Sequence, residues 1–323
     1  MRLTHRFAVR LPILKVIAML FVLELVSQVS EAATYYVGKN GSESYSCWQA
    51  QSPETPVLRV GVGIQCLNPG DTLMVGGGTY FEMIGPFMYI PSGTPDAPIT
   101  IMANPGETVV LQMPYDGPMD YPLFDLYLLS NITISGFVFD GAGWAGNATQ
   151  FEESSNIRFE NNEIRNARYN GILVGANYNT FVGNNVHANG GYGMYLVGGF
   201  NTIEGNEFHR NGYFGIVGYS QTDSLRENTV RTNLVHNNGQ FAYYPGILMG
   251  GYRNQIYNNT IWSENGPAIE IGYGYYPTEI SVFGNTIYGD HWQEIVVDWG
   301  YDIYVYGNSI SPLSAVSEAL FTR

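Results

Sequence analysis

The chain is poor in lysine, in cysteine and in long apolar runs, and each shortage removes a class of protein. Lys15 and Lys39 are its only lysines in 323 residues. Its one extended apolar stretch, VIAMLFVLELV (16–26), has 11 residues and contains Glu24, well short of the roughly 20 that a spanning helix needs. Arg2, Arg6, Arg10 and Lys15 precede it, and the small residues Ser30 and Ala32 follow. That pattern reads as a secretory signal peptide over 1–32, and no membrane span is expected after its cleavage. Four of the 14 cations and two of the 28 acids lie in that segment, which leaves 10 Lys+Arg against 26 Asp+Glu, a net charge of −16. Such a chain cannot neutralise phosphates, so nucleic acid is excluded as a partner. Cysteine is confined to Cys47 and Cys66. In an exported chain they are expected to pair, constraining the unfolded state by about 3 kcal/mol, with two free buried thiols as the alternative.

Amphipathic patterns of helical period are also nearly absent. In their place stand 39 Gly, 25 Tyr, abundant Asn and many short β-type runs bounded by Gly and Asn. One phrase recurs: NTFVGNNVHANG (179–190), NTIEGNEFHRNG (201–212) and NTVRTNLVHNNG (228–239). Widened to a register, it starts at 132, 157, 179, 201, 228, 254, 280 and 303. Two places on from each start is an apolar residue, seven on is another, and five on stands Asn162, Asn184, Asn206, Asn233, Asn259, Asn285 or Asn308, with Phe137 in the first copy. A second apolar strand follows most copies, with Ile172, Met194, Ile216, Ile247 and Ile269 facing inward and each preceded by Gly or Ala. Repeats of 22–27 residues with two or three short strands predict a solenoid, because one coil cannot bury its apolar residues alone. The expected fold class is all-β, a parallel β-helix of about ten coils over 72–310. The Asn column should form a hydrogen-bonded ladder at one internal corner and take up its left-handed backbone. Residues 33–71 are expected as an N-terminal cap carrying the disulfide, with a weak helical pattern over 55–67. Residues 311–323 are expected as a C-terminal cap or tail.

The segments TYYVGKNGS (34–42), NPGDTLMVGGGTYFE (68–82) and APITIMANPGE (97–107), followed by Asn-laddered coils, resemble the exported right-handed parallel β-helix proteins of the pectin-lyase-like superfamily. The resemblance covers nearly all of the chain after residue 32 and implies a secreted or cell-surface protein with a polysaccharide partner. It does not choose an activity. Pectate-lyase-like sites use a Lys or Arg base, and Lys39 lies before the coils. The clustered Asp and Gly-His-Gly motifs of polygalacturonases are missing, and GDHW (289–292) matches poorly the Asp-Pro-His-Asp motif of mannuronan epimerases.

The outward column eight places from each start reads Asp140, Arg165, His187, His209, His236, Trp262, Tyr288. Imidazole exchanges protons near neutral pH, arginine can neutralise a uronate carboxylate and aromatic faces suit sugar rings. His209 is therefore the expected proton-transferring residue, with Arg210 and Tyr213 beside it and His187 and His236 at neighbouring subsites. Arg165, Tyr192, Tyr244, Trp262 and Tyr288 are the expected substrate-binding residues. The competing reading is a solvated ladder of like residues, with tyrosines that merely pack a corner. Two places further on, Glu264 and Asp290 fall on adjacent rungs. They are candidates for a Ca²⁺ site, for a retaining-hydrolase pair, or for corner residues with water between them. The expectation is a monomeric, exported polysaccharide lyase or epimerase acting on a uronate-containing glycan, with a glycoside hydrolase a poorer fit. The alternative is a non-catalytic glycan-binding or surface β-helix.

Overall fold

The structure is a computed structural model that describes residues 31–323 except 86, 116, 118, 242, 263, 273–276, 290–292, 312–317 and 323. The expected signal segment up to residue 30 lies outside the described residues.

Each regular coil has three short strands, as in Met194–Leu196, Thr202–Glu204 and Glu207–His209. Each strand pairs in parallel with its counterpart one coil later, giving Met194↔Ile216, Ile203↔Val230 and Phe208↔Val235. The stacked first and second strands join into one sheet, because Thr149–Glu160 runs through the corner between them. The stacked third strands make a separate sheet of ten strands. The three surfaces are called the first, second and third faces below.

Alternation along each strand decides what is buried. Ile172, Met194, Ile216, Ile247 and Ile269 stack in register and are fully buried, as the sequence pattern requires. Phe139, Phe151, Phe159 and Phe181 continue the core with ring centroids 5.1–5.4 Å apart. Each such side chain contributes about 1.5–3 kcal/mol by leaving water.

The predicted Asn column is a ladder at the corner between the second and third strands. Asn184 Nδ2 donates to Asn206 Oδ1 at 2.9 Å and to the Phe159 carbonyl at 2.8 Å, and its backbone N–H donates to the same Asn206 oxygen at 2.9 Å. The pattern repeats through Asn233, Asn259, Asn285 and Asn308. Two further ladders occupy the other corners: Asn179, Asn201, Asn228 and Asn254 between the first and second strands, and Asn189, Asn211 and Asn238 after the third. One expectation is corrected. The left-handed backbone falls on the residue before the ladder Asn, at Asn161, Gly183, Gly205, Thr232, Asn258, Gly284 and Gly307, and leaves the Asn itself free to bond along the stack. The small residue before each first strand also has a definite cause. A Cβ on Gly193 would lie 2.7 Å from the Asn211 amide nitrogen and 2.5 Å from the Gly215 carbonyl.

The ends differ from expectation. Thr34–Val37 already pairs with Thr72–Val75, so the coil stack begins inside the segment expected to be only a cap. At the other end Glu318–Thr322 pairs in parallel with Gln293–Val297, adding a rung where a cap or tail was expected. The helical pattern over 55–67 condenses to one short helix, Val60–Gln65. Its Val60 and Ile64 are buried, and Gly63 sits so close to Val37 and Leu73 that a Cβ would meet them at 2.5 and 2.8 Å. Cys47 and Cys66 form the expected disulfide.

Removing one ladder side chain orphans buried donors in the coil before it, as Asn206 would for the Asn184 backbone N–H and Nδ2. Asn206→Ala should therefore lower stability by about 2 kcal/mol or more, read as a lower urea midpoint. Asn308→Ala, at the half-exposed end of the same ladder, should cost clearly less.

Candidate functional site

The outward column is in register as predicted. Asp140, Arg165, His187, His209, His236, Trp262 and Tyr288 are successive partners on the third face. The rings stack: His187 on His209 at 4.8 Å, His209 on His236 at 5.1 Å, and His236 on Trp262 at 4.2 Å. The Nε2 atom of each histidine is already engaged. His187 Nε2 lies 3.1 Å from Glu163 and His236 Nε2 lies 2.9 Å from Glu207. His209 Nε2 donates to Asn185 Oδ1 at 3.0 Å, which leaves the lone pair on Nδ1. That Nδ1 is sealed from solvent and has no partner. Burial first, then the neighbouring His187 charge, push the His209 pKa down from 6.5 to about 4, so the ring is neutral at pH 7. Neutrality suits a base, but a base must reach a substrate proton with its lone pair. The geometry therefore counts against His209 as the proton-transferring residue.

The expected cation beside this column is committed as well. Arg165 is ion-paired with Asp140 at 3.0 Å and Glu163 at 2.7 Å. Arg210 is exposed at a left-handed corner, φ 54°. Tyr213 does not join His209. Its ring packs on Tyr244 at 4.9 Å and on Tyr192 at 5.8 Å, in a cluster that belongs to the first face.

That cluster walls a groove of about 550 Å³. Tyr192, Phe214 and Tyr244 reach it from the turns before the first strands, and Tyr195, Val217, Leu248 and Glu270 form its floor. The floor residues are register partners one coil apart. Downward the same column continues through Leu173 and Gln150 to Asp125. The rule that located the histidines, one place beyond an inward residue, also finds Tyr195, Val217, Leu248 and Glu270 when applied to the first strands. Burial raises the Tyr192 and Tyr195 phenols above their usual pKa, helped by neighbouring tyrosines, so both stay protonated hydrogen-bond donors at neutral pH. Glu270 is the only charged residue in the described lining.

Glu264 ends the third ladder. Its Oε2 accepts the Asn238 backbone N–H at 2.9 Å and its Oε1 accepts Asn238 Nδ2 at 3.0 Å. Burial pushes its carboxyl up to about 8 against the pull of those two donors. Both oxygens of Glu264 thus act as the oxygen of a missing Asn, and the Ca²⁺ and hydrolase-pair readings lose this residue. Asp290 lies outside the described residues.

A buried neutral imidazole binds fewer protons folded than unfolded between about pH 4 and 6.5, so it withdraws stability as the pH falls through that window. His209→Phe keeps a stacking ring and removes the titration. Melting at pH 7 and pH 4.5 should show a smaller acid-side loss for the variant than for the parent. Equal losses would place the acid sensitivity elsewhere.

A family model described as a right handed beta helix region matches residues 126–261. No curated protein is matched by the sequence. Among solved structures, an alginate lyase from Paenibacillus sp. str. FPU-7 superposes with TM-score 0.66 and 17% identity, covering 81% of this chain and 94% of that one. The pectate lyase Pel9A gives 0.62 and 16%, covering 90% and 80%. PfbA, a surface adhesin of Streptococcus pneumoniae, gives 0.57 and 14%, covering 80% and 74%. Identities this low speak for the fold alone. With the parallel coils, the ladders and the inward columns described above, they show a right-handed parallel β-helix.

Proposed function

We propose that this chain is a polysaccharide-active protein that holds its glycan in the tyrosine groove of the first face. The groove itself carries the reading. Its walls are aromatic faces and protonated phenols, which suit the apolar faces and hydroxyls of sugar rings. Two of the similar folds are named as polysaccharide lyases, which fits the class. The disulfide fits an exported protein, and among the described residues no helix is long and apolar enough to cross a membrane.

The narrower expectation of a lyase or epimerase on a uronate polymer asks for a cation at the sugar carboxylate. Arg165 is already held by two acids, and the described groove lining brings none. A strongly acidic chain also repels a polyanion. The geometry therefore favours a glycan with few or no carboxylates.

Calorimetry on xylan, galactan, mannan, β-glucan, alginate and polygalacturonate tests this. A neutral polymer should bind, and Tyr195→Ala should weaken it about tenfold, the equivalent of about 1.4 kcal/mol. Binding of alginate or polygalacturonate alone, lost in Arg165→Ala and kept in Tyr195→Ala, would return the site to the histidine column.

A further inference from the structure

The column that floors the groove ends in an acid with no structural task. Asp125 follows the inward Phe124 and precedes the inward Leu126, so it points out of the first face, yet it is only 6% exposed. Its Oδ1 is sealed from solvent without a hydrogen-bond partner. Gly85 lies beneath it, since Ile84 bridges Phe124, and Gln150 lies above. The next outward residue of the strand above is Glu152, half-buried and in register with the exposed Tyr127. A buried carboxyl placed beside a second acid destabilises a fold, so stability does not account for it. Among the described residues no group of three or more His, Cys, Asp or Glu gathers as metal ligands would.

Between this pair and the groove runs a line of amides. Asn147 Nδ2 donates to Gln150 Oε1 at 2.7 Å, Asn170 Nδ2 to Asn147 Oδ1 at 2.9 Å, and the Tyr192 backbone N–H to Asn170 Oδ1 at 3.3 Å. Asp125 lies three rungs from Tyr195, roughly 14 Å along the helix axis at about 4.8 Å per rung. Acid pair, amide line and aromatic groove thus form one track across the coils.

We propose that Asp125 and Glu152 are the two reacting carboxyl groups of a glycoside-hydrolysing centre on this track, an inference that rests on the groove being the glycan site. The protonated Asp125 gives a proton from Oδ2, the carboxyl oxygen that is not sealed, to the glycosidic oxygen as the bond from that oxygen to the anomeric carbon breaks. A water oxygen bonds to the anomeric carbon, and Glu152 takes the proton the water sheds. Solvent then returns a proton to Asp125 and removes one from Glu152, with no oxidant or reductant involved. Burial first and Glu152 second push the Asp125 carboxyl up to about 6, which holds a proton for delivery in mildly acidic solution.

Xylan, galactan, mannan and β-glucan are incubated with the protein in ¹⁸O-water, and products are read by mass spectrometry and reducing-end assay. Hydrolysis adds one ¹⁸O to each new reducing end. Asp125→Asn and Glu152→Gln should each lower kcat at least a hundredfold, with binding to the same polymer by calorimetry unchanged. The activity of the parent should fall as pH rises past about 6. A polymer that binds in a Tyr195-dependent way but is never cut overturns the catalytic pair and leaves the groove standing. Cleavage that survives Asp125→Asn, or products without ¹⁸O, overturns it as well. No binding to any of the four polymers removes the groove and the pair together.

Discussion

Everything in this molecule depends on a buried amide hydrogen bond repeated from coil to coil. A tight corner between strands turns backbone N–H and C=O groups away from the sheet ladders, and buried groups of that kind need partners. One Asn per corner meets the need twice over. Its nitrogen serves a carbonyl of the coil before, and its oxygen serves the backbone and side chain of the coil before, as Asn206 does for Asn184 and Phe181. Because the partner is the same residue type, the rule propagates, and every coil inherits the geometry of its neighbour. Glu264 shows its tolerance. It serves Asn238 with both oxygens, and the cost appears as a carboxyl forced far above its usual range.

The same propagation produces outward columns whether or not they have a function. The imidazole stack is what register yields when three consecutive coils place His at one position. Its electrostatics are those of packing. The outer rings meet glutamates, the central ring is neutral, and its lone pair is closed off. The first face differs because its turns vary in length. The turn after Asn185–His187 is six residues long before Met194, whereas ten residues, 237–246, separate Leu234–His236 from Ile247–Met249. The longer turn carries Tyr243, Tyr244 and Pro245 over the floor and makes a wall. A regular column on a flat face is a ladder, and the same column under an irregular turn is a groove.

Much of this was legible in the residues alone. The eight-fold register located the core, one Asn ladder and the order of the histidine column, because each follows from a period of two within strands and a nearly constant coil length. The disulfide followed from compartment and from there being only two cysteines. The other two ladders were visible in the same columns. Asn179 and Asn201 stand at the start of the repeat and Asn189 and Asn211 ten places on.

The sequence by itself determined the solenoid, its inward and outward residues and the vertical neighbours of each side chain, since all three are one-dimensional consequences of a repeat. Tertiary structure alone decided which outward column is covered, which is committed and which is open. Arg165 looks like a free cation until Asp140 and Glu163 are found beside it, and Tyr213 looks like a neighbour of His209 until its ring is found against Tyr244. Asp125 is an unremarked acid in FDLY until burial leaves one of its oxygens without a partner. Those properties depend on how turns fold back over a face and on which charges meet across coils, and no spacing along the chain encodes them.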